Sequence, residues 1–417
     1  MSQFYKFGFL RVPLQTTHSR TLPSPCLSTS AQCSDPIVAP KLAQLWKLDL
    51  EGADKVDTFI DNEASLIANV FSDLPFVVDY TLLSKLPCFD YSTGWKSLPD
   101  LWKEYEVAKF LNSIAGDIAK ATGHEQRRTW HAQFYDQILP GSPIERKPDI
   151  ILLDHHHPMN VTWRNVRAVT EVTCSKAEIP GIVNTVNDKT LIMFMTQFNR
   201  TFVPIISIWN DKFRLTVTDR QGQVRSIQYS LSGPHQNQAL QLVRLIAALC
   251  FAAPDAIGYD STIIADQNDE LTGIVCGDVT YAIVASLFAV QSLVGRATHV
   301  FLVKHQDTQY ILKDSWIEGS QKYSELDHLH RIRGVEGVPS LHMGGDVEKN
   351  GKPLSTWLIR RGDYGIQARS RVRRRLVIAS VGSPISSFKS KRELISGFRD
   401  IVKSACFSSH QKITTDL

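Results

Sequence analysis

The chain has 417 residues, 43% hydrophobic and 21% charged, with a formal net charge of +4. That length suggests two or three domains, the apolar share suffices for real cores, and the charge is too small to imply nucleic acid by itself. The seven cysteines (Cys26, Cys33, Cys88, Cys174, Cys250, Cys276, Cys406) are scattered with no Cys-x-x-Cys pair, which argues against a zinc ribbon or disulfide framework and for a reducing compartment.

Residues 1–40 are rich in Ser, Thr and Pro without periodicity and read as a disordered tail. The first 34 residues carry no Asp or Glu, but prolines at 13, 23 and 25 speak against the amphipathic helix of a mitochondrial leader, so a cytoplasmic or nuclear location is expected. Helical patterning begins near Leu42. In the stretch from Leu101, Val107, Leu111, Ile114 and Ile118 fall at helical spacing. From Lys147 the period changes, and residues 149–153, 165–172, 202–209, 213–218 and 223–229 read as strands, with turns at Asn210-Asp211 and Gln221-Gly222. Residues 236–252 read as a helix, and 256–292 as short strands around a polar turn at 266–270. The apolar runs 239–253 and 281–295 fall short of the ~18 to 20 residues that span a bilayer, so no membrane partner is expected. A last amphipathic helix is expected over 391–406, with Ser390 as N-cap and Glu393 completing a capping box.

Three groups of residues could carry chemistry. The first is a small-residue loop, Leu293-Val-Gly-Arg-Ala-Thr-His-Val300, followed thirteen residues on by Lys313 at the end of an apolar run and then by Glu325. That order is the one a nucleotide-gripping lobe uses: a loop backbone covers phosphates, a strand lysine holds two of them, and a helix glutamate orients the lysine. Ala297 and Thr298 stand where more complete loops carry glycine. The second is Pro148-Asp149 with Glu171-Val-Thr173, the arrangement in which a large nuclease superfamily binds Mg²⁺ with two carboxylates and positions water with a lysine. Threonine occupies the lysine position and Lys176 comes three residues late, so no cleavage is expected. The third is the stretch 360–375 with seven arginines, read as a solvated connector and the one hint of nucleic-acid binding. His155-His-His157 reads as a solvated loop.

The first group, with Lys313-Asp-Ser-Trp316 and Gly337-Val-Pro339, resembles the fungal-type protein kinase family. Lys147-Pro-Asp149, the 163–171 strand, Arg214 to Arg220 with Gly222, and Ile257-Gly-Tyr-Asp260 resemble that family's N-terminal half. Gly382-Ser-Pro384, Phe388 and Arg392-Glu-Leu394 resemble its hinge and following helix. The resemblance covers roughly residues 100–406. It implies an α+β chain: a disordered tail (1–40), a mixed N-terminal domain (41–280), and a kinase-like small lobe of β-sheet plus one helix with the start of a large lobe (281–417). It also implies that Lys313 holds the α- and β-phosphates of ATP, that Glu325 pairs with it, that Gly295, Thr298 and Val300 cover the nucleotide, and that residues near 380–382 meet the adenine. ATP and Mg²⁺ are the implied cofactors, bound weakly or not at all here.

A kinase also needs a base aspartate with an asparagine soon after, then a metal-binding aspartate. His330-Arg331 comes too soon after Lys313, Asp363-Tyr-Gly365 precedes the hinge, and Phe398-Arg-Asp400 lies in the last helix with Ala405 where Asn is needed. The reading is therefore a family member truncated before its catalytic loop and inactive alone. The alternatives are a non-catalytic scaffold with an unknown protein partner and a metal-dependent nuclease-like domain.

Overall fold

The computed structural model describes residues 9–10, 59–174, 180–319, 324–334, 338–361, 370–379, 381–384, 387–400 and 402. The expected tail and the helical onset near Leu42 lie outside these residues, except that Phe9–Leu10 pairs antiparallel with Ser383–Pro384.

The first part of the chain is a mixed sheet covered on both faces. Its main strands are β1 (Phe59–Glu63), β2 (Arg128–His131), β3 (Ile150–Asp154), β4 (Ala168–Thr173), β5 (Phe202–Trp209), β6 (Lys212–Asp219) and β7 (Gly222–Ser226), in the order β1-β7-β6-β5-β4-β3-β2. The β7–β1 and β4–β5 pairs are parallel and the others antiparallel. Helices α1 (Leu66–Val70), α2 (Tyr80–Ser84), α3 (Glu104–Thr122) and α5 (Gln236–Phe251) share one core with one face of this sheet, while α4 (Pro180–Thr196) packs on the other. Strand alternation divides β3 accordingly: Ile150 and Leu152 face the first layer, Ile151 and Leu153 the second. All eight residues of β5 are buried, as a strand covered on both faces requires.

Helix α3 forms where its pattern says. Val107, Leu111, Ile114 and Ile118 are fully buried. Glu104 and Glu106 in the first turn complement the helix dipole, and Gly123 at φ 70° ends it in the left-handed region that glycine enters without strain.

The second sheet is antiparallel throughout. Its strands are β8 (Ile263–Ala265), β9 (Leu271–Cys276), β10 (Val279–Ala289), β11 (His299–His305), β12 (Thr308–Glu318), β13 (Leu341–Asp346) and β14 (Arg371–Ile378), ordered β8-β9-β10-β11-β12-β14-β13. Helix α6 (Glu325–Arg331) follows β12 and packs on β13. A short helix α7 (Thr356–Arg360) precedes β14. Residues 391–400 are helical, and Ser390 caps them as expected, its Oγ accepting the Glu393 N–H (3.2 Å); Glu393 Oε2 accepts from the Lys389 N–H (2.7 Å) rather than from Ser390, so the capping box is not closed, and residues 401 and 403–406 of the expected helix lie outside the described residues. Among the described residues no helix is long and apolar enough to cross a membrane.

The described arginines of the 360–375 stretch are not those of a solvated connector; residues 362–369, Arg369 among them, lie outside the described residues. Strand alternation turns Arg373 and Arg375 inward, at 1% and 2% exposure, onto Asp314 of β12 and Asp260. Arg373 Nε lies 2.9 Å from Asp314 Oδ1, Arg375 Nη2 lies 2.7 Å from Asp314 Oδ2, and Arg373 Nη1 lies 2.8 Å from Asp260 Oδ2. The last contact has the distance of an ion pair without an aligned hydrogen bond. Burial alone would raise the Asp314 carboxyl; Arg373 and Arg375 reverse this and hold it below its ordinary value. Arg374 turns outward to Asp346, Arg360 grips buried Asp219, and Arg361 pairs with Asp73. A sequence window shows only a run of like charge; the carboxylates that neutralise it come from other strands.

Removing one member of the buried quartet leaves its partners charged and unpaired. Asp314→Ala is expected to lower stability by about 3 to 5 kcal/mol. Arg374→Ala breaks only a solvent-facing pair and is expected to change it by about 1 kcal/mol or less. Urea denaturation of both variants is the check, and comparable losses would show that the quartet is no more important than a surface pair.

Candidate functional site

The hydrophobic run of β12 carries Lys313 to its middle, directly opposite Val300 of β11 in the ladder. Helix α6 begins at Glu325 because Ser324 caps it: the Ser324 hydroxyl accepts from the Asp327 N–H, and the Asp327 carboxylate accepts from the Ser324 N–H (2.8 Å). This start places Glu325 over β12. Its Oε1 and Oε2 accept from Lys313 Nζ at 2.7 and 2.5 Å, with both side chains about one-fifth exposed. Arg296 Nη2 lies 3.8 Å from the same carboxylate. The sheet thus presents a half-buried ammonium, held by a glutamate, on an interior strand.

The loop between β10 and β11 is bound to the first domain. Leu293 is fully buried in the core beneath α4. Gly295, at φ 103°, donates its N–H to the Arg220 carbonyl at 2.8 Å, and Arg220 Nη1 donates back to the Ser292 carbonyl at 2.7 Å. Arg220 is itself buried and lies over the Phe194 ring; burial and the nearby Arg373 push its guanidinium down to about 9. The Thr298 carbonyl accepts from Val290 N–H, and the Arg296 carbonyl from Trp316 N–H. Ala297 holds φ 40° where a glycine would be unstrained. The Gly295 amide, which the resemblance aims at phosphate, is therefore already satisfied inside the protein.

A profile for the family described as "Fungal protein kinase" matches residues 147–412, well over half of the chain. The chain belongs to that family. Comparison with curated proteins returned no match, and neither did comparison with solved structures.

Within this member of the family, the quoted motifs converge. Asp260 of Ile257-Gly-Tyr-Asp260 and Asp314 of Lys313-Asp-Ser-Trp316 are the two acids of the buried arginine quartet. Asp219 and Arg220, from the segment ending at Gly222, bind Arg360 and the 290–298 loop. Of the three kinase-like short motifs, His330-Arg331 lies in α6, Asp400 is an exposed residue beside Arg399, and 363–365 lies outside the described residues. Ser380, in the expected adenine region, is likewise outside them, while Val381 is exposed. A cavity of about 270 Å³ opens among Thr201, Tyr259, Lys349 and Leu354, and neither Lys313 nor Glu325 lines it. His155 and His156 are exposed, as expected of a loop.

The second group of candidate residues also assembles. Asp149 immediately precedes β3, and the Ile150–Thr170 pairing places it beside Glu171 of β4. Asp149 Oδ2 accepts the Val172 N–H at 2.8 Å. The amine missing at position 173 arrives from α4 instead: Lys189 Nζ donates to Glu171 Oε2 at 2.6 Å, with both side chains at least 96% buried. Helix α4 has no counterpart among the elements expected from the sequence. Its signal was there, in Pro180 at the start and a single lysine in a largely apolar 17-residue run.

Burial, then the negative charge of Glu171, pushes the Asp149 carboxyl up to about 7 from an ordinary 3.8. Between those values the folded chain holds a proton that the unfolded chain has released. Stability contributed at this position is therefore present below pH ~4, falls as pH rises to about 7, and is flat above. Asp149→Asn is expected to remove that slope and to stabilise the protein at pH 8 by on the order of 1 to 3 kcal/mol. Urea denaturation at pH 5 and pH 8 in EDTA tests it. A variant with the wild-type slope would show that this carboxyl is not raised.

Proposed function

We propose that the chain supplies the nucleotide-gripping side of an ATP-dependent Ser/Thr kinase cleft and does not transfer phosphate by itself. The observation that carries this reading is the Lys313–Glu325 pair, set on a kinase-like sheet in the order loop, strand, lysine, helix, glutamate. The ammonium fits two phosphates as a point charge oriented by its glutamate. The loop does not yet fit, because its Gly295 amide is bonded to Arg220. Mg²⁺ does not fit here either: among the described residues no group of three or more His, Cys, Asp or Glu is placed to hold a metal. No described aspartate stands where a base would meet a hydroxyl acceptor near Lys313, so the positioning and charge neutralisation that accelerate phosphoryl transfer are not assembled.

A second reading, a non-catalytic binding protein built on the kinase scaffold, is favoured by that same bound loop. The two readings separate on nucleotide affinity. The first expects weak Mg-ATP binding, with Kd in the hundreds of micromolar, about 5 kcal/mol, abolished in Lys313→Met. The second expects none. Calorimetric titration with Mg-ATP decides between them. Incubation with radiolabelled ATP and a generic acceptor is expected to give no transfer, and transfer that disappears in Lys313→Met would overturn the inactive assignment.

A further inference from the structure

The kinase-like sheet carries a second cation beside Lys313. The loop between β10 and β11 commits its Gly295 amide to the Arg220 carbonyl, but the next residue, Arg296, turns back toward β12. Its carbonyl accepts the Trp316 N–H at 2.7 Å, which ties the loop to β12 three residues past Lys313. Positive φ values on either side, 103° at Gly295 and 40° at Ala297, frame this bend. The Arg296 guanidinium then reaches the Lys313–Glu325 pair: Nη2 lies 3.8 Å from Glu325 Oε2, and Lys313 Nζ lies 2.5 Å from the same oxygen. Two cations converge on one carboxylate and leave one positive charge in excess. At 3.8 Å, Arg296 is within ion-pair range of that oxygen but beyond hydrogen-bonding range, and 42% of its side chain is exposed. Further positive charge lies beside it. Burial lowers the Arg371 guanidinium from its ordinary value; Glu318 opposes this and Arg296 adds to it. Arg371 Nη2 in turn lies 3.7 Å from Glu318 Oε1. With Arg371 and Glu318 included, the excess of one positive charge is unchanged.

Building on the nucleotide-gripping reading of Lys313, we propose that Arg296 is a phosphate-binding residue: its guanidinium and the Lys313 ammonium grip a polyphosphate chain between them, with no requirement for Mg²⁺. An arginine fork donates two parallel hydrogen bonds to the oxygens of one phosphate, while the lysine acts as a point charge. A side chain thus takes the part that loop amides play in a complete phosphate loop, and Gly295 stays on Arg220 while it does so. Glu325 keeps Lys313 when Arg296 turns to phosphate, because a half-exposed pair at 3.8 Å costs little to give up. Free tripolyphosphate and free ATP carry more negative charge than their Mg²⁺ complexes, and a site that brings its own two cations matches the free anions better. The ligand class is a linear polyphosphate, alone or as the tail of a nucleoside triphosphate.

The test is calorimetric titration of the full chain in EDTA with inorganic tripolyphosphate, ATP and adenosine, and then with Mg-ATP. Tripolyphosphate and ATP are expected to bind in EDTA, ATP at least as tightly as Mg-ATP. Arg296→Ala is expected to weaken both by about tenfold or more, the loss of a charge-assisted hydrogen bond. Arg374→Ala, which removes an outward arginine of β14, is expected to leave both unchanged. Circular dichroism confirms that the variants fold. Arg296→Lys keeps a cation on the loop and is expected to fall between the wild type and Arg296→Ala; an affinity no better than that of Arg296→Ala would show that the substitutions act by relaxing the loop, and overturns the contact. Mg-ATP binding that is lost in Lys313→Met but undiminished in Arg296→Ala overturns the role of Arg296 and leaves the nucleotide reading standing. ATP that binds only with Mg²⁺ overturns the metal-independent grip. Tripolyphosphate bound through Arg296, with ATP bound no more tightly and adenosine not at all, upholds the phosphate grip and removes the nucleoside from the reading. No binding of either anion at millimolar concentration overturns the proposal.

Discussion

The arrangement of the second sheet depends on a neutral cluster of two aspartates and two arginines sealed from water. Isolated, any one of these charges would be too costly to bury; together they satisfy one another. Asp314 is adjacent to Lys313 on β12, and successive strand residues face opposite sides. Fixing Asp314 inward therefore fixes Lys313 outward, toward α6. A slip of one residue between β12 and β14 would bring Lys313 opposite the buried guanidiniums and put Asp314 beside Glu325. The energetic weight of such a cluster against a hydrophobic replacement is often small. Its physical effect here is to make a single register acceptable, and the lysine–glutamate pair inherits that selection.

A second constraint joins the two sheets. The tight turn between β6 and β7 is closed by Asp219 Oδ1, which accepts the Gln221 and Gly222 amides. The same carboxylate receives Arg360 from α7, and Gln221 accepts from Thr356. The next residue, Arg220, holds the 290–298 loop through both its carbonyl and its guanidinium. Four consecutive residues thus anchor the turn, the loop and the helix before β14. Leu293 completes the joint by burying apolar area beneath α4, where it contributes on the order of 2 kcal/mol.

Local patterning carried much of this into the sequence. The four apolar positions of α3, the apolar strand runs of the first sheet, the Ser390 cap, and the order Val300, Lys313, Glu325 were all readable, because each rests on residues close in the chain. Helix α4 was not, since its Asn, Asp, Lys and Thr residues are spread around its circumference and give little amphipathic contrast. Missing it meant missing Lys189, whose partner Glu171 lies 18 positions earlier. The inward arginines were misread for a related reason. Only the strand alternation of β14 together with the tertiary positions of Asp260 and Asp314 distinguishes Arg373 and Arg375 from the outward Arg374. The binding of the loop to Arg220 has no signature at all in a sequence window, because backbone amides and carbonyls are the same at every residue.

The Gly295–Arg220 bond has a consequence for how the two halves of the molecule respond to ligands. A nucleotide that drew this loop toward Lys313 would have to withdraw Gly295 from the Arg220 carbonyl and Leu293 from the first core. Occupancy of the cleft and cohesion of the N-terminal domain would then be reciprocal. Whatever loosens the domain would ease closure over phosphate, and whatever closes the loop would loosen the domain by the same free energy. The β6–β7 turn would in that case act as a mechanical linkage between a kinase-like cleft and the sheet that carries Asp149 and Glu171.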